Sequence, residues 1–533
     1  MKKNLRLPAL LASLALATSG IAGCSGGSPD ATPDSAGQDQ VLRVVHGKGG
    51  VDKIDFPWLT VGSLPITLLY QPLVIADGTL REVSPALAKS WEVSEDEKTY
   101  TFTLGDQKWD DGEPVTGSDV VWSVNTALKA PKVAGLYTDM FKKLEGGMAV
   151  ADGSAESISG VSGDGQTVSF TLEAPDVDFL PVMAQFMILP EHLLKDTDPL
   201  HLDTDPLWSK PVGNGIYKLK ELNPGNFIEY EVSDTHEGPT PTFSSVVIQG
   251  SADPVSDAQS GKIDYFNTND VSIVNRMANV DSFVGHEVES LFYRYFVVNV
   301  KDNPRMQDPK VREALMYAID RDSLATNVYS GVAGELITGV PASNSDLFWS
   351  GANEYKYDPE KAKSLLEAAS YDFSQPLRLR FYYEDDVSRQ FMTAISQQLQ
   401  DIGMEVELLK FQGDSTTELF ETRNYDIALK GFSAFSVSQW YGEYTLSNFE
   451  SVFGEHPDMI AINDRMQNAT NEDERKEAIL DAQKWEQENN YKLPMFTLPN
   501  YIFISNRIKT PDITWGNPFY VFDNHIAEWE IDK

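Results

Sequence analysis

Cysteine is nearly missing. Cys24 is the only one in 533 residues, so no intrachain disulfide can form. Positive charge is scarce as well: 43 Lys and Arg stand against 80 Asp and Glu, a formal net charge of −37. Nucleic-acid binding needs clustered Lys and Arg to neutralise phosphates, so that class of partner is disfavoured. An acidic surface keeps a chain soluble without specifying its ligand. The seven histidines are His46, His192, His201, His236, His286, His456 and His525, and none shares an i, i+4 metal-ligand spacing with another. Catalytic signatures are lacking too. Gly431-Phe432-Ser433-Ala434-Phe435 has phenylalanine where a nucleophile elbow needs its second glycine. Gly160 to Gln166 ends in glutamine where a phosphate loop needs lysine. Asp110-Asp111 and Asp385-Asp386 read as solvated turn carboxylates rather than acid/base pairs. The sequence does not read as an enzyme, and it requires no metal and no cofactor.

Long apolar runs are limited to one. Leu7 to Ala22 is uncharged, but it is shorter than the about 20 residues a membrane span needs and is diluted by Thr18, Ser19 and Gly20. Lys2, Lys3 and Arg6 precede it and Gly23-Cys24 closes it, the layout of a secretory signal. Ile21-Ala22-Gly23-Cys24 resembles the lipobox of bacterial lipoprotein precursors. That resemblance implies removal of residues 1–23 and lipidation of Cys24, which would hold the chain outside the cytoplasm on the bacterial cell membrane. A two-chain lipid anchor suffices for stable attachment. Residues 24–40 contain too little apolar surface to order themselves and read as a flexible tether reaching roughly 20–25 Å.

What remains is a globular body. Its about 490 residues exceed one ordinary core and point to two or three domains. The whole chain is 41% hydrophobic and 11% aromatic, both globular values. Short strand-like segments alternate with helical ones, so the fold class is α/β. Val41 to Val45, Thr99 to Leu104 and Gln166 to Leu172 read as strands. Asp308-Pro309 and Asp358-Pro359 each supply a cap followed by proline at the first helical position. Phe391, Ile395, Leu399 and Ile402 make the stripe of a helix running from about Val387 to Gly403. Met404 to Leu409 reads as a strand, Ser415-Thr416-Thr417-Glu418 as a capping box, and Tyr425 to Leu429 as the next strand.

Several of these segments carry a family likeness. Leu87 to Phe102 (LAKSWEVSEDEKTYTF), Trp109 to Thr116 (WDDGEPVT) and Asp119-Val120-Val121-Trp122-Ser123 resemble the signature of the dipeptide/oligopeptide/nickel class of solute-binding proteins. Pro211 to Tyr217, Asn303-Pro304, Asp308 to Leu315, Ala318 to Arg321 and Tyr357 to Ala362 follow at family-like spacing. By this resemblance the chain is identified as a member of that class. The resemblance implies a two-lobed, periplasmic-binding-protein-like venus-flytrap (type II) with an extra inserted subdomain. Lobe I would combine 41–76, 205–298 and 498–533. The subdomain would occupy 77–204 and lobe II 299–497, with hinge crossings near Val298-Asn299 and Pro494 to Leu498. It also implies a monomer that hands a small solute, most often a peptide, to the permease subunits of an ABC importer. An oligosaccharide ligand, or presentation of ligand to a membrane sensor, stands as the alternative. The motifs themselves read as structural: Asp111-Gly112-Glu113-Pro114 as a turn, Gly213 and Gly215 as a tight reversal, Trp91 and Trp122 as core.

The binding residues are sought at the carboxyl ends of strands, where α/β folds hold their ligands. Beyond Tyr425 to Lys430 the segment Gly431 to Gly442 alternates aromatic bodies with small hydroxyls, as a mostly apolar pocket with a few orienting polar groups does. Phe432, Ser433, Ala434, Phe435, Ser436, Trp440 and Tyr441 are the candidates there. Core packing is the competing reading for each aromatic. After the first strand, Gly47 and Trp58 are candidates, and Arg294 offers a fork for a carboxylate. In peptide-binding members of the resembled class, the corresponding loop carries an aspartate for the ligand's α-amino group. Here no Asp or Glu occurs between Ile427 and Gly442. Glu443, Asp385 or Asp386 would have to substitute; otherwise the ligand has no such amine, as in a blocked peptide or a sugar stacked on Trp440, Phe432 or Phe435.

Overall fold

The structure is a computed structural model. It describes residues 40–47, 51–77, 82–288, 291–434, 436–469, 471–511 and 521–532. The segment expected to be a signal, Cys24, the expected tether up to residue 39 and Phe435 lie outside the described residues.

Two large mixed sheets organise the body, giving a two-lobed α/β fold. The first has seven strands in the order Phe283–Val288, Asn500–Ser505, Tyr265–Thr268, Val41–Val45, Ser245–Gln249, Phe227–Val232, Tyr217–Asn223. Val41–Val45 runs parallel to both of its neighbours. A separate antiparallel sheet of four strands is formed by Ala88–Val93, Thr99–Leu104, Thr167–Thr171 and Val161–Asp164. It shares one apolar core with the first large sheet.

The second large sheet has six strands, in the order Gly334–Glu335, Lys492–Thr497, Leu291–Val298, Ile427–Ala434, Leu377–Phe381, Val406–Lys410. Leu291–Val298 sits inside it and is covered on both faces, so its near-continuous apolar run follows from position. This corrects the expected boundary. The first passage between sheets falls between Val288 and Leu291, not at Val298-Asn299, because Phe283–Val288 pairs in the first sheet while Leu291–Val298 already pairs on both sides in the second. The return passage runs from Thr497 to Asn500.

Local signals explain much of the second lobe. Asp308 and Asp358 accept backbone N–H bonds from Lys310 and Lys361 at the starts of Pro309–Ala318 and Pro359–Ala368. The helix Asp386–Asp401 ends before Gly403, whose φ is +92°. The short helix near Ser415 is capped by Asp414 rather than by Ser415. The polar members of the family motifs are buried scaffolding. Arg312 donates to the carbonyls of Met306 and Asn489 at 2.6 Å each. Asn303 and Arg378 hold Asp426, which is fully buried.

Gly112 takes φ +94° in its turn, as expected. Gly213 and Gly215 do something else. Their Cα atoms press on the carbonyls of Leu69 and Leu68, where a Cβ would collide, and the backbone N–H groups of Asn214 and Gly215 bond Leu69 O. Close approach of two segments of the chain, not a reversal, demands glycine there. Asp110 is no solvated carboxylate either: it accepts from Gly213 N at 2.9 Å and from the Ser233 hydroxyl.

Candidate functional site

Topology places one edge of the second sheet beside both passages between the sheets. Leu377–Phe381 and Ile427–Ala434 run parallel, so both carboxyl ends reach that edge. Leu291 pairs with Ala434 there, and Leu498 N donates to Phe292 O at 2.9 Å. On the first sheet, the carboxyl end of Tyr265–Thr268 meets Tyr501, next to the return passage. Ligands in α/β folds collect outside such strand ends. Gly47 stands just past the end of the parallel strand Val41–Val45, exposed, with φ +77°.

The segment expected as a loop is largely strand. Ile427–Ala434 continues its ladder with Leu291–Val298 through Ala434, and the helix Val437–Gly442 follows. Period-2 alternation then sorts the candidates. Ser433 is exposed, opposite Phe292. Ser436 is half-buried at the helix start. Phe432 is half-buried and stacks on Tyr293 at 6.2 Å, on the face away from Arg294. Ala434 is fully buried.

Three aromatic candidates are core residues, a correction of the sequence reading. Trp440 is 0% exposed. It packs against Tyr293 at 4.5 Å and Tyr295 at 4.7 Å, and its indole N–H bonds Glu486 Oε1 at 2.6 Å. Tyr441 is equally buried and donates to Glu486 Oε2 at 3.2 Å. Trp58 donates to Met187 O at 2.8 Å and stacks on Phe186 at 5.1 Å. Each has a buried partner for its polar atom, so none offers a free face to a sugar.

Arg294 is the candidate that stays unsatisfied. It is 8% exposed, and its Nε and Nη1 have no hydrogen-bond partner. Among the described residues no carboxylate forms a salt bridge with it. Its guanidinium carbon lies 3.7 Å from the centroid of the Tyr383 ring and 5.1 Å from that of Phe292. A desolvated cation–π contact returns about 2 kcal/mol, whereas an uncompensated buried charge costs several. The contact with Tyr383 therefore leaves a deficit. A bulge against Lys492–Thr497 falls between Arg294 and Tyr295, a device that re-aims side chains at functional edges.

Tyr382 and Tyr383, just past Leu377–Phe381, complete the edge. Their rings stack at 4.3 Å, their hydroxyls lie 3.0 Å apart, and Gly431 N donates to Tyr382 Oη at 3.3 Å. Burial pushes the Tyr383 phenol up, so it stays a neutral donor. Tyr329 is also unpartnered at its hydroxyl, and burial pushes it up to about 12. These tyrosines and Phe292 escaped the sequence reading. The strand-end rule applied to Leu377–Phe381 would have found Tyr382 and Tyr383; nothing local marks Tyr329.

None of the proposed acid substitutes is free. Glu443 lies between Lys430 at 3.0 Å and Lys492 at 2.9 Å. Asp385 caps its helix with both oxygens on Ser388, and Asp386 pairs with Arg389. Among the described residues no group of three His, Cys, Asp or Glu converges to hold a metal.

Comparison with known proteins agrees with this architecture. Residues 82–450 match the family model described as bacterial extracellular solute-binding proteins, family 5 Middle. The chain is 30% identical over 370 residues to a putative ABC transporter peptide-binding protein of Brucella ovis. That alignment covers 68% of this chain and 66% of the relative, just under two thirds of its length. The fold is similar to that of a putative peptide binding protein, AppA, from Clostridium difficile, with TM-score 0.78, 19% identity, and coverage of 92% of this chain and 100% of that one. It is also similar to NikZ from Campylobacter jejuni in complex with Ni(L-His), with TM-score 0.73, 22% identity and coverage of 92% and 99%. On the strength of the family match and these likenesses, the chain belongs to the bacterial extracellular solute-binding proteins of family 5.

Proposed function

We propose that this chain is the lipid-anchored solute-capturing component of an ABC importer. It takes a peptide or modified peptide between its two lobes and delivers it, chemically unchanged, to the permease. Family 5 proteins are transport binding proteins rather than enzymes, and the relatives work outside the cytoplasm with ABC transporters. The observation that carries the reading is the shared edge, where strand ends of both sheets flank two adjacent chain crossings. Two crossings side by side make a hinge, and ligand contacts formed only on closure shift the open–closed equilibrium. Lobe I would comprise the segments of the first sheet with residues 77–204 as its inserted subdomain, and lobe II the segment between the crossings. Cys24 would hold the protein at the membrane, and no helix among the described residues is long and apolar enough to cross one.

Peptide is favoured over sugar because Trp440 and Tyr441 are turned into the core, leaving Phe432 as the only described aromatic of its segment near the surface. The test is mass spectrometry of the small molecule that co-purifies with the protein and is released by denaturation. A peptide or N-blocked peptide is expected. A sugar would overturn the ligand class, and a lack of any solute-dependent change in the scattering profile across a broad library would overturn capture itself.

A further inference from the structure

Around the shared edge, acids are engaged and one cation is not. Glu443, Asp385 and Asp386 are each occupied as described, and Ile427 to Gly442 holds no other acid. Arg294 presents two buried nitrogens, Nε and Nη1, with no acceptor. Tyr329, 2% exposed, has a buried hydroxyl without a partner, and its ring packs at 5.3 Å on Phe496, the residue that pairs with Arg294 across the ladder. Buried donors in folded proteins are almost always satisfied, so two orphans that share the neighbour Phe496 imply an acceptor that arrives later. A guanidinium fork matches a planar carboxylate through two parallel bonds.

The geometry points to an anion site in which Arg294, with the Tyr329 hydroxyl as second donor, takes a carboxylate of the captured solute. The solute class is a carboxylate-bearing molecule whose amino end is neutral or blocked, because no described acid is free beside Gly431–Tyr441 to pair an ammonium. Tyr383 covers the guanidinium from above and Gly431 leaves room for its hydroxyl. The carboxylate then supplies the charge and the acceptors that the ring alone does not provide. This inference rests on the capture reading proposed above.

The test uses random tetrapeptide pools in four end states: free, N-acetylated, C-amidated, and blocked at both ends. Each is incubated with the purified protein, and retained peptides are counted by mass spectrometry after ultrafiltration. Pools with a free carboxylate should be retained at least about tenfold better than their amidated counterparts. N-acetylation should change little, and Arg294→Gln should abolish the preference. Retention that follows the free amine and ignores amidation would overturn the anion site and leave peptide capture standing. If no pool is retained, peptide capture fails, and the anion site is decided by thermal unfolding with acetate or inorganic phosphate. Either anion should raise Tm of the wild type more than that of Arg294→Gln, acetate more than phosphate. Equal shifts in the two proteins would overturn it, and a larger phosphate effect would overturn the carboxylate assignment.

Discussion

Lys492 Nζ lies 2.9 Å from Glu443 Oε2, with the two side chains 0% and 6% exposed. Lys430 approaches the other carboxylate oxygen at 3.0 Å, and the Tyr295 hydroxyl donates to Glu443 Oε2 at 2.7 Å. Lys492 also donates to Trp440 O at 2.6 Å, so this cluster fastens the helix Val437–Gly442 to the strands beside it. Removing Lys492 leaves the buried Glu443 carboxylate with Lys430 and the Tyr295 hydroxyl. Lys492→Met is expected to cost less in urea unfolding at neutral pH than the roughly 3–5 kcal/mol of a buried charge left with no counterion. Adding Lys430→Met removes the second counterion and should bring the total into that range; a double variant no worse than the single one would show that the lost contact is packing rather than charge.

Burial pulls Lys492 down to about 8 against the attraction of Glu443. An unfolded lysine titrates near about 10.4. Between these values the unfolded chain holds a proton that the folded chain has released, so unfolding takes up protons and stability rises with pH. Above about 10 the trend reverses, because unfolded tyrosines ionise while buried ones such as Tyr329, pushed up to about 12, stay neutral. Stability measured by urea midpoint should therefore climb from pH 8 to roughly pH 10 and then fall. In Lys492→Met the climb should be absent.

Gly431 pairs with Arg294 across the ladder, and a Cβ at 431 would enter the space of the Tyr383 hydroxyl. The alanine itself fits the strand, because Gly431 does not have a left-handed φ. Gly431→Ala should thus displace Tyr383, uncover Arg294 and weaken ligand binding by about tenfold. Global stability should drop by no more than about 1–2 kcal/mol. Calorimetry with the co-purified solute reads the first effect and urea unfolding the second. Unchanged affinity would remove Tyr383 from the site.

How legible was this in the sequence? Caps, breakers and family motifs act locally, so Asp308, Asp358, Gly112 and Gly403 were readable from their neighbours alone. Strand ends and burial are set by partners far away in the chain. Trp440 became core because Tyr293, Tyr295 and Glu486 converge on it from two other elements. The boundary at Val298 failed for the same reason, since the central place of Leu291–Val298 in its sheet depends on pairing with strands near 427 and 492. Arg294 was readable as a fork for an anion, but its lack of a partner was not. That property belongs to every neighbour at once.

Arg475 and Asp178 give a last expectation. They come from distant parts of the chain, the helix Glu472–Asn489 and the segment that follows the four-stranded sheet, and they form a two-pronged ion pair at 2.7 and 3.1 Å. Arg475 also bonds Ser438 Oγ at 3.2 Å, and nearby Lys143 joins Asp176 at 2.6 Å to Gln467 at 2.9 Å. Side-chain exposures of 19% and 38% mark the Arg475 pair as only partly buried, which limits its worth to about 1 kcal/mol. A lobe that swings open must break such contacts, whereas one that stays fixed keeps them. Asp178→Asn should then loosen ligand binding about fivefold and shift the ligand-free scattering profile toward larger dimensions, an effect that high salt should imitate in the wild type by screening the pair. If scattering is unchanged while urea stability falls by the same about 1 kcal/mol, the pair is a static brace and the moving boundary lies elsewhere.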